Sequence, residues 1–332
     1  MQLKILKGIT DKIRPHEQYS PPTCNDDNLP PVFGIFLSSS PKGGGKTYNC
    51  IQLLTNYENA GFTSQKKENV VMRTIWVSGG TSRSKQNLIL DSLKTLHDKD
   101  RIDVEHNIDA KLKEIYEDLK EERDLIESYN IYRETYNKWI KSKSLKNLTL
   151  DELILLNFKA FTDPTEDPDC PATEDGVKLY HPRMVFLVVD DLIGSDGFSN
   201  NKRGNFLNRL SVKARHESDE LVGLNLFFIT QSFKSIPAVI RKQTDVFILL
   251  KSASRSKILE NIVDEVGSHF NRKELEYYYD GIMLEDYGSL ILSIHKKEKE
   301  ENRVRMGWNK IINRIKIEEN QNDKKSKYKN KK

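Results

Sequence analysis

A chain of 332 residues is long enough for one large α/β domain or two small ones, and it can bury a sizeable core. Charged residues make up 31% but the net charge is only +4, which excludes a uniformly polycationic nucleic-acid binder and leaves any such attraction to local patches. Three scattered cysteines, Cys24, Cys50 and Cys170, argue against a disulfide framework or a Cys-x-x-Cys metal site; no apolar run approaches spanning length, so the reading is a soluble intracellular protein.

Residues 1–30 read as an N-terminal extension, and from Met1 to Lys12 lysines alternate with isolated aliphatics. The apolar run Val32-Phe33-Gly34-Ile35-Phe36-Leu37 then predicts a buried strand, and Cys50, Leu53, Leu54 and Tyr57 predict a helix that stops at Gly61. Between them lies Ser40-Pro41-Lys42-Gly43-Gly44-Gly45-Lys46-Thr47, a P-loop in its required strand–loop–helix context. Successive glycines let backbone N–H groups curl inward around a phosphate, Lys46 adds a cation, and the Thr47 hydroxyl can hold Mg²⁺, so ATP and Mg²⁺ are the expected ligands. The usual pattern opens with glycine where this chain has Ser40. Serine serves there only if the position does not need positive φ.

Continuous β-branched and aromatic runs recur at 70–77, 184–189, 224–230, 246–250 and 289–294, without the polar alternation of half-exposed strands. Helical patterns occupy 203–217 and 256–266, the latter striped by Ile258, Leu259, Ile262, Val263 and Val266. Strands alternating with helices imply a mainly parallel sheet covered on both faces, with the P-loop at the carboxyl edge. An insertion at about 97–161 interrupts this order: Leu112, Ile115, Leu119, Ile126, Tyr129, Tyr136 and Ile140 recur at helical spacing among dense Lys and Glu. Thr149 and Glu152 form a capping-box pair that opens a further helix through Leu153 and Leu156. These helices are expected to pack on their own domain; the rival reading is a docking surface. Residues 163–176 read as a loop, and the chain re-enters the sheet at about Arg183. The ATPase domain is drawn at 31–295 and a basic tail at 296–332, where apolar periodicity fades beyond about Lys310 and six lysines crowd around Asp323.

The strand at 184–189 ends in Asp190-Asp191. A carboxylate at the tip of a buried strand beside the P-loop strand can hold the Mg²⁺ that bridges the β- and γ-phosphates, which assigns Asp190 to the metal and Asp191 to the attacking water. The next strand ends at Gln231, placed to sense the γ-phosphate or the water. Arg215, at the end of the 203–217 helix, is the candidate arginine finger toward a neighbouring subunit, with Arg203, Arg209 and Arg241 as rivals. His216 has no metal-ligand partner at useful spacing and reads as structural.

The order P-loop, long insertion, strand with Asp190-Asp191, then Ala214-Arg215-His216, a strand ending Thr230-Gln231-Ser232, and Ile236-Pro237-Ala238-Val239-Ile240-Arg241 resembles the genome-packaging ATPases of large double-stranded DNA viruses, in the FtsK-HerA class of additional-strand P-loop motors. The resemblance covers residues 31–294. It implies an α/β P-loop NTPase with a RecA/FtsK-like sheet, working as a homo-oligomeric ring that pumps double-stranded DNA into a capsid, with capsid or vertex proteins as partners and the infected-cell assembly site as its location. On that analogy Lys46 and Thr47 bind phosphate and Mg²⁺, Asp190 and Asp191 form the Walker B pair, Gln231 is the sensor and Arg215 the finger. Two other readings remain open: another P-loop helicase-type ATPase or nucleotide kinase, and a nucleotide-gated scaffold that binds ATP without fast turnover.

Overall fold

The computed structural model describes residues 22–64, 69–79, 89–157, 181–192, 195–198, 205–218, 221–251, 255–283 and 288–312. The basic run at 323–332, the loop at 163–176, Cys170 and Arg203 lie outside the described residues. In chain order the strands are β1 (Thr23–Cys24), β2 (Ile35–Ser39), β3 (Phe62–Thr63), β4 (Asn69–Ser78), β5 (Arg101–Asp103), β6 (Arg183–Asp190), β7 (Val222–Thr230), β8 (Val246–Leu250), β9 (Ser289–Ser293), β10 (Val304–Met306) and β11 (Lys310–Ile311). The helices are α1 (Lys46–Ala60), α2 (Ile108–Ser142), α3 (Leu150–Asn157), α4 (Phe206–Glu217), α5 (Ala238–Gln243), α6 (Arg255–Val266) and α7 (Arg272–Met283).

The centre of the sheet is parallel and runs β4-β6-β7-β2-β8. β6 and β7 are buried along their whole length, which is why they read as unbroken apolar runs. Strand order corrects one expectation: the Asp190 strand β6 is not beside the P-loop strand β2, because β7 lies between them and pairs with both. Neighbours in sequence are not neighbours in the sheet once helices carry the crossovers. Antiparallel strands extend the sheet beyond β8 through β9, β10 and β11, so it continues into the segment drawn as tail. On the far side β5 joins the upper edge of β4 and β3 its lower edge, with β1 beyond.

Two cores follow from the period-two alternation of the strands. Ile35 and Leu37 face one core with residues of α2, α4, α6 and α7; Phe36 faces the other with Cys50, Leu53, Leu54 and Tyr57 of α1. Phe36 stacks flat on Phe227 of β7, their rings 5.6 Å apart, and so locks the P-loop strand to its neighbour. Gly61 ends α1 at φ 69°, donating its N–H to Tyr57 O at 2.9 Å, as the stop signal requires.

The insertion is anchored on its own domain. Ile108, Leu112, Ile115, Tyr116 and Leu119 of α2 join the sheet core. Glu122 of α2 then takes two arginines, accepting from Arg73 Nη1 at 2.6 Å and from the buried Arg183 Nε at 2.8 Å. Asp109 accepts from the N–H groups of Phe206 and Leu207, so a carboxylate from the insertion caps α4 together with Asn205. The capping box forms as expected, Thr149 N–H donating to Glu152 and Glu152 N–H to Thr149 Oγ1. The apolar stripe of α2 is buried through Tyr132; Tyr136 is half-buried and Ile140 is exposed, because the helix outruns the core at its end.

Candidate nucleotide site

The loop from Ser40 to Gly45 leaves the carboxyl end of β2 and enters α1 at Lys46. Gly43 at φ 80° and Gly45 at φ 85° occupy the left-handed region, where a Cβ is strained. Gly44 has a different reason to be glycine: a Cβ there would collide with the Ser40 hydroxyl. Ser40 itself is buried and is not among the positive-φ residues, so serine meets the condition set for it. Its N–H donates to Thr230 O at 3.2 Å, which ties the loop to the end of β7.

The first turn of α1 carries no acidic residue and no side-chain cap, leaving its N–H groups for an anion. Lys46 Nζ donates to Ser40 O at 2.8 Å and to Pro41 O at 3.1 Å, curled back over the loop's own carbonyls. Burial lowers its pKa, opposed by Asp191 and Asp190. Thr47, one residue on, is partly exposed.

Asp190 ends β6 and is buried; Ser78 of β4 and Ile229 of β7 flank it in register. Burial first, and then Asp191, push its carboxyl up to about 7, against the Lys46 charge and a hydrogen bond from Trp76. Asp191 turns the chain out of the strand at φ 52° and accepts from the Gln231 side-chain amide. Three of the expected site residues, Asp190, Asp191 and Gln231, therefore lie at one sheet edge with the P-loop, held there by β6, β7 and β2.

The strand order 4-6-7-2-8, with a glycine loop and lysine after β2, carboxylates after β6 and an amide after the intervening β7, decides the fold. It is an α/β P-loop fold in which one additional strand, β7, separates the loop-bearing strand from the carboxylate strand. No family model and no curated protein matches the sequence of this chain. Among solved structures it is similar to the genome packaging NTPase B204 from Sulfolobus turreted icosahedral virus 2, bound to ATP-gammaS, at 12% identity over 84% of this chain and 98% of that one, TM-score 0.41. It is similar to B204, the DNA-packaging ATPase from Sulfolobus turreted icosahedral virus, at 11% identity over 83% and 97%, TM-score 0.42. EssC (ATPases 2 and 3) from Geobacillus thermodenitrificans matches at 12% identity over 91% of this chain but 45% of that one, TM-score 0.41. These are likenesses of fold.

The arginines separate. The backbone of Arg215 lies in the last turn of α4, just before β7 begins, and therefore at the amino edge of the sheet; its side chain lies outside the described residues. The length of β7, roughly 25 Å, separates it from the P-loop of the same subunit. Arg241 is engaged with Glu265 at 2.9 Å and lies over the Phe233 ring, and exposed Arg209 lies 6.0 Å from the Phe206 ring. Sequence reasoning missed Trp76, which bonds Asp190, and Ser78, whose hydroxyl donates to Asp103 at 2.6 Å beside it. Trp76 sits in an apolar strand run and reads as core, so nothing in the sequence marks it.

Among the described residues no group of three or more His, Cys, Asp and Glu could hold a metal. A Mg²⁺ site would thus draw on Asp190, the Thr47 hydroxyl and the nucleotide phosphates, the sparse ligation usual for this ion. Asp190 fits that task. It is a buried carboxylate whose charge is disfavoured until a cation arrives. No helix among the described residues is long and apolar enough to cross a membrane.

Proposed function

We propose that this protein is an ATP-hydrolysing motor that translocates double-stranded DNA, packaging a viral genome into a capsid as a homo-oligomeric ring. The observation that supports it is the junction of Lys46, Asp190, Asp191 and Gln231 at one sheet edge around an uncapped helix N-terminus. In this reading residues 40–47 cradle the triphosphate, the α1 N–H groups and Lys46 neutralise it, and Thr47 and Asp190 hold Mg²⁺. Held there, the ion would supply charge neutralisation to the triphosphate. Lys46 leaves the Ser40 and Pro41 carbonyls for the phosphates, and Asp191 orients the attacking water and takes its proton. Gln231, now bonded to Asp191, is placed to read the γ-phosphate and to steer that carboxylate. Arg215 cannot serve its own subunit from the amino edge, so a finger role for it is one in trans.

Phosphate release measured with and without duplex DNA tests the proposal. A motor gives turnover that rises when DNA is added; nucleotide binding with no turnover under either condition replaces it with the nucleotide-gated scaffold. The Gln231–Asp191 contact is what favours that second reading, since it occupies the carboxylate that must meet water.

A further inference from the structure

The far end of the α2–α3 pair combines lysines with exposed apolar side chains. From Lys138 to Leu150 the sequence holds four lysines, Lys138, Lys141, Lys143 and Lys146, and no acidic residue. The same stretch exposes Trp139 (38%), Ile140 (39%), Leu145 (54%) and Leu150 (73%). Its backbone forms a tight hairpin. Lys143 takes φ 49° and donates its N–H to Trp139 O at 2.7 Å to end α2, the Ser142 hydroxyl donates to Ser144 O, and Lys138 reaches Glu152 at the start of α3 at 2.7 Å. No side chain of α2 beyond Thr135 is buried, so the hairpin end stands clear of the core that anchors the helix at Ile108 to Leu119.

We infer that this hairpin end is a docking site for an anionic lipid surface. Glu152 offsets Lys138, and the other three lysines, Lys141, Lys143 and Lys146, engaged by no carboxylate among the described residues, complement lipid phosphates and carboxylates. Lysine stems can lie along the boundary while Trp139 sits at headgroup depth and Ile140, Leu145 and Leu150 enter the acyl region. The apolar groups come from α2, the turn and α3 in succession, so they surround a tip rather than stripe one helix. That arrangement suits end-on entry into a fluid layer, whereas a helix laid in a protein groove presents its anchors at regular spacing along one side. Phosphate contacts to duplex DNA would use the lysines but leave the exposed leucines unexplained.

The test uses the full chain with vesicles of phosphatidylcholine alone and of phosphatidylcholine mixed with phosphatidylserine, scored by co-flotation. Trp76 and Trp308 are buried, so a blue shift of tryptophan fluorescence on adding vesicles reports Trp139. The inference predicts flotation and a blue shift with the phosphatidylserine vesicles only. Replacing Lys141, Lys143 and Lys146 together with Gln should weaken binding on the order of a hundredfold, at roughly fivefold per lysine. Trp139→Ser with Leu150→Ser should abolish the interaction while leaving ATP turnover unchanged, since these residues are remote from the P-loop. Absence of flotation overturns the inference, as does flotation that survives both sets of substitutions, which would place the contact on the lysines at 324–332. Loss of duplex DNA binding in the lysine variant, with flotation unaffected, overturns it in favour of a nucleic-acid contact.

Discussion

Asp190 is a buried carboxylate at the tip of β6, beside a second carboxylate. Its carboxyl is raised to about 7 from an ordinary 3.8, so in the nucleotide-free protein the folded state holds a proton that the unfolded state has lost. The stabilising contribution of that proton is full below 3.8 and disappears as pH rises through about 7. Asp190→Asn, which cannot ionise, should therefore gain stability relative to wild type between about pH 5 and pH 8, by a few kcal/mol in denaturant titrations. A constant difference across that range would show that Asp190 is solvated in the free protein. Two further substitutions separate binding from chemistry. Lys46→Ala should abolish turnover by removing the cation at the phosphates. Asp191→Asn should keep nucleotide affinity within a few-fold and lose about two to four orders of magnitude in rate, the usual range for a positioned base. Equilibrium binding of a fluorescent ATP analogue beside phosphate release distinguishes the two. The strand–loop–helix setting of Lys46 and Thr47 was legible because a phosphate-binding loop demands a narrow set of residues at fixed spacing, and the loop does join β2 to α1. The Gln231–Asp191 contact was not, since two strand ends forty residues apart meet only through the sheet register.

At the scale of elements, a charged node joins the sheet to the insertion beside their shared apolar core. Glu122 takes both Arg73 and the buried Arg183, and Asp100 takes Arg73 in turn at 2.8 Å. Glu122→Gln would leave two guanidiniums under-compensated, one of them buried, and should cost roughly 3 kcal/mol of unfolding free energy. A measured loss below about 0.5 kcal/mol would put this node with ordinary surface pairs. The long buried strands and α1 could be read from the sequence because burial on both faces removes polar alternation and because one stripe of apolar residues marks a helix. β5, β10 and β11 could not. Arg101-Ile102-Asp103 and Val304-Arg305-Met306 are too short and too charged to signal burial. Arg305 is fully buried only because Glu298 meets it with two hydrogen bonds at 3.2 Å, a pairing that no local pattern announces. The place of β7 between β2 and β6 was equally hidden, because chain order does not give sheet order.

For the whole molecule, the position of Arg215 at the amino edge turns the finger question into one of assembly. Arg215→Ala should retain ATP binding and lose about three to five orders of magnitude in turnover if it completes a neighbour's site. Mixing Arg215→Ala with Lys46→Ala subunits should then restore activity at interfaces where an intact P-loop meets an intact arginine. Mixtures that exchange subunits yet stay inactive would remove Arg215 and direct attention to Arg203 and Arg209. Movement along DNA is the central claim, and displacement of a third strand from a duplex tests it most directly. Wild-type protein supplied with ATP should strip a triplex-forming oligonucleotide from linear duplex DNA, and Lys46→Ala should leave it in place. Wild-type protein that hydrolyses ATP on that DNA while the third strand remains bound would contradict the account.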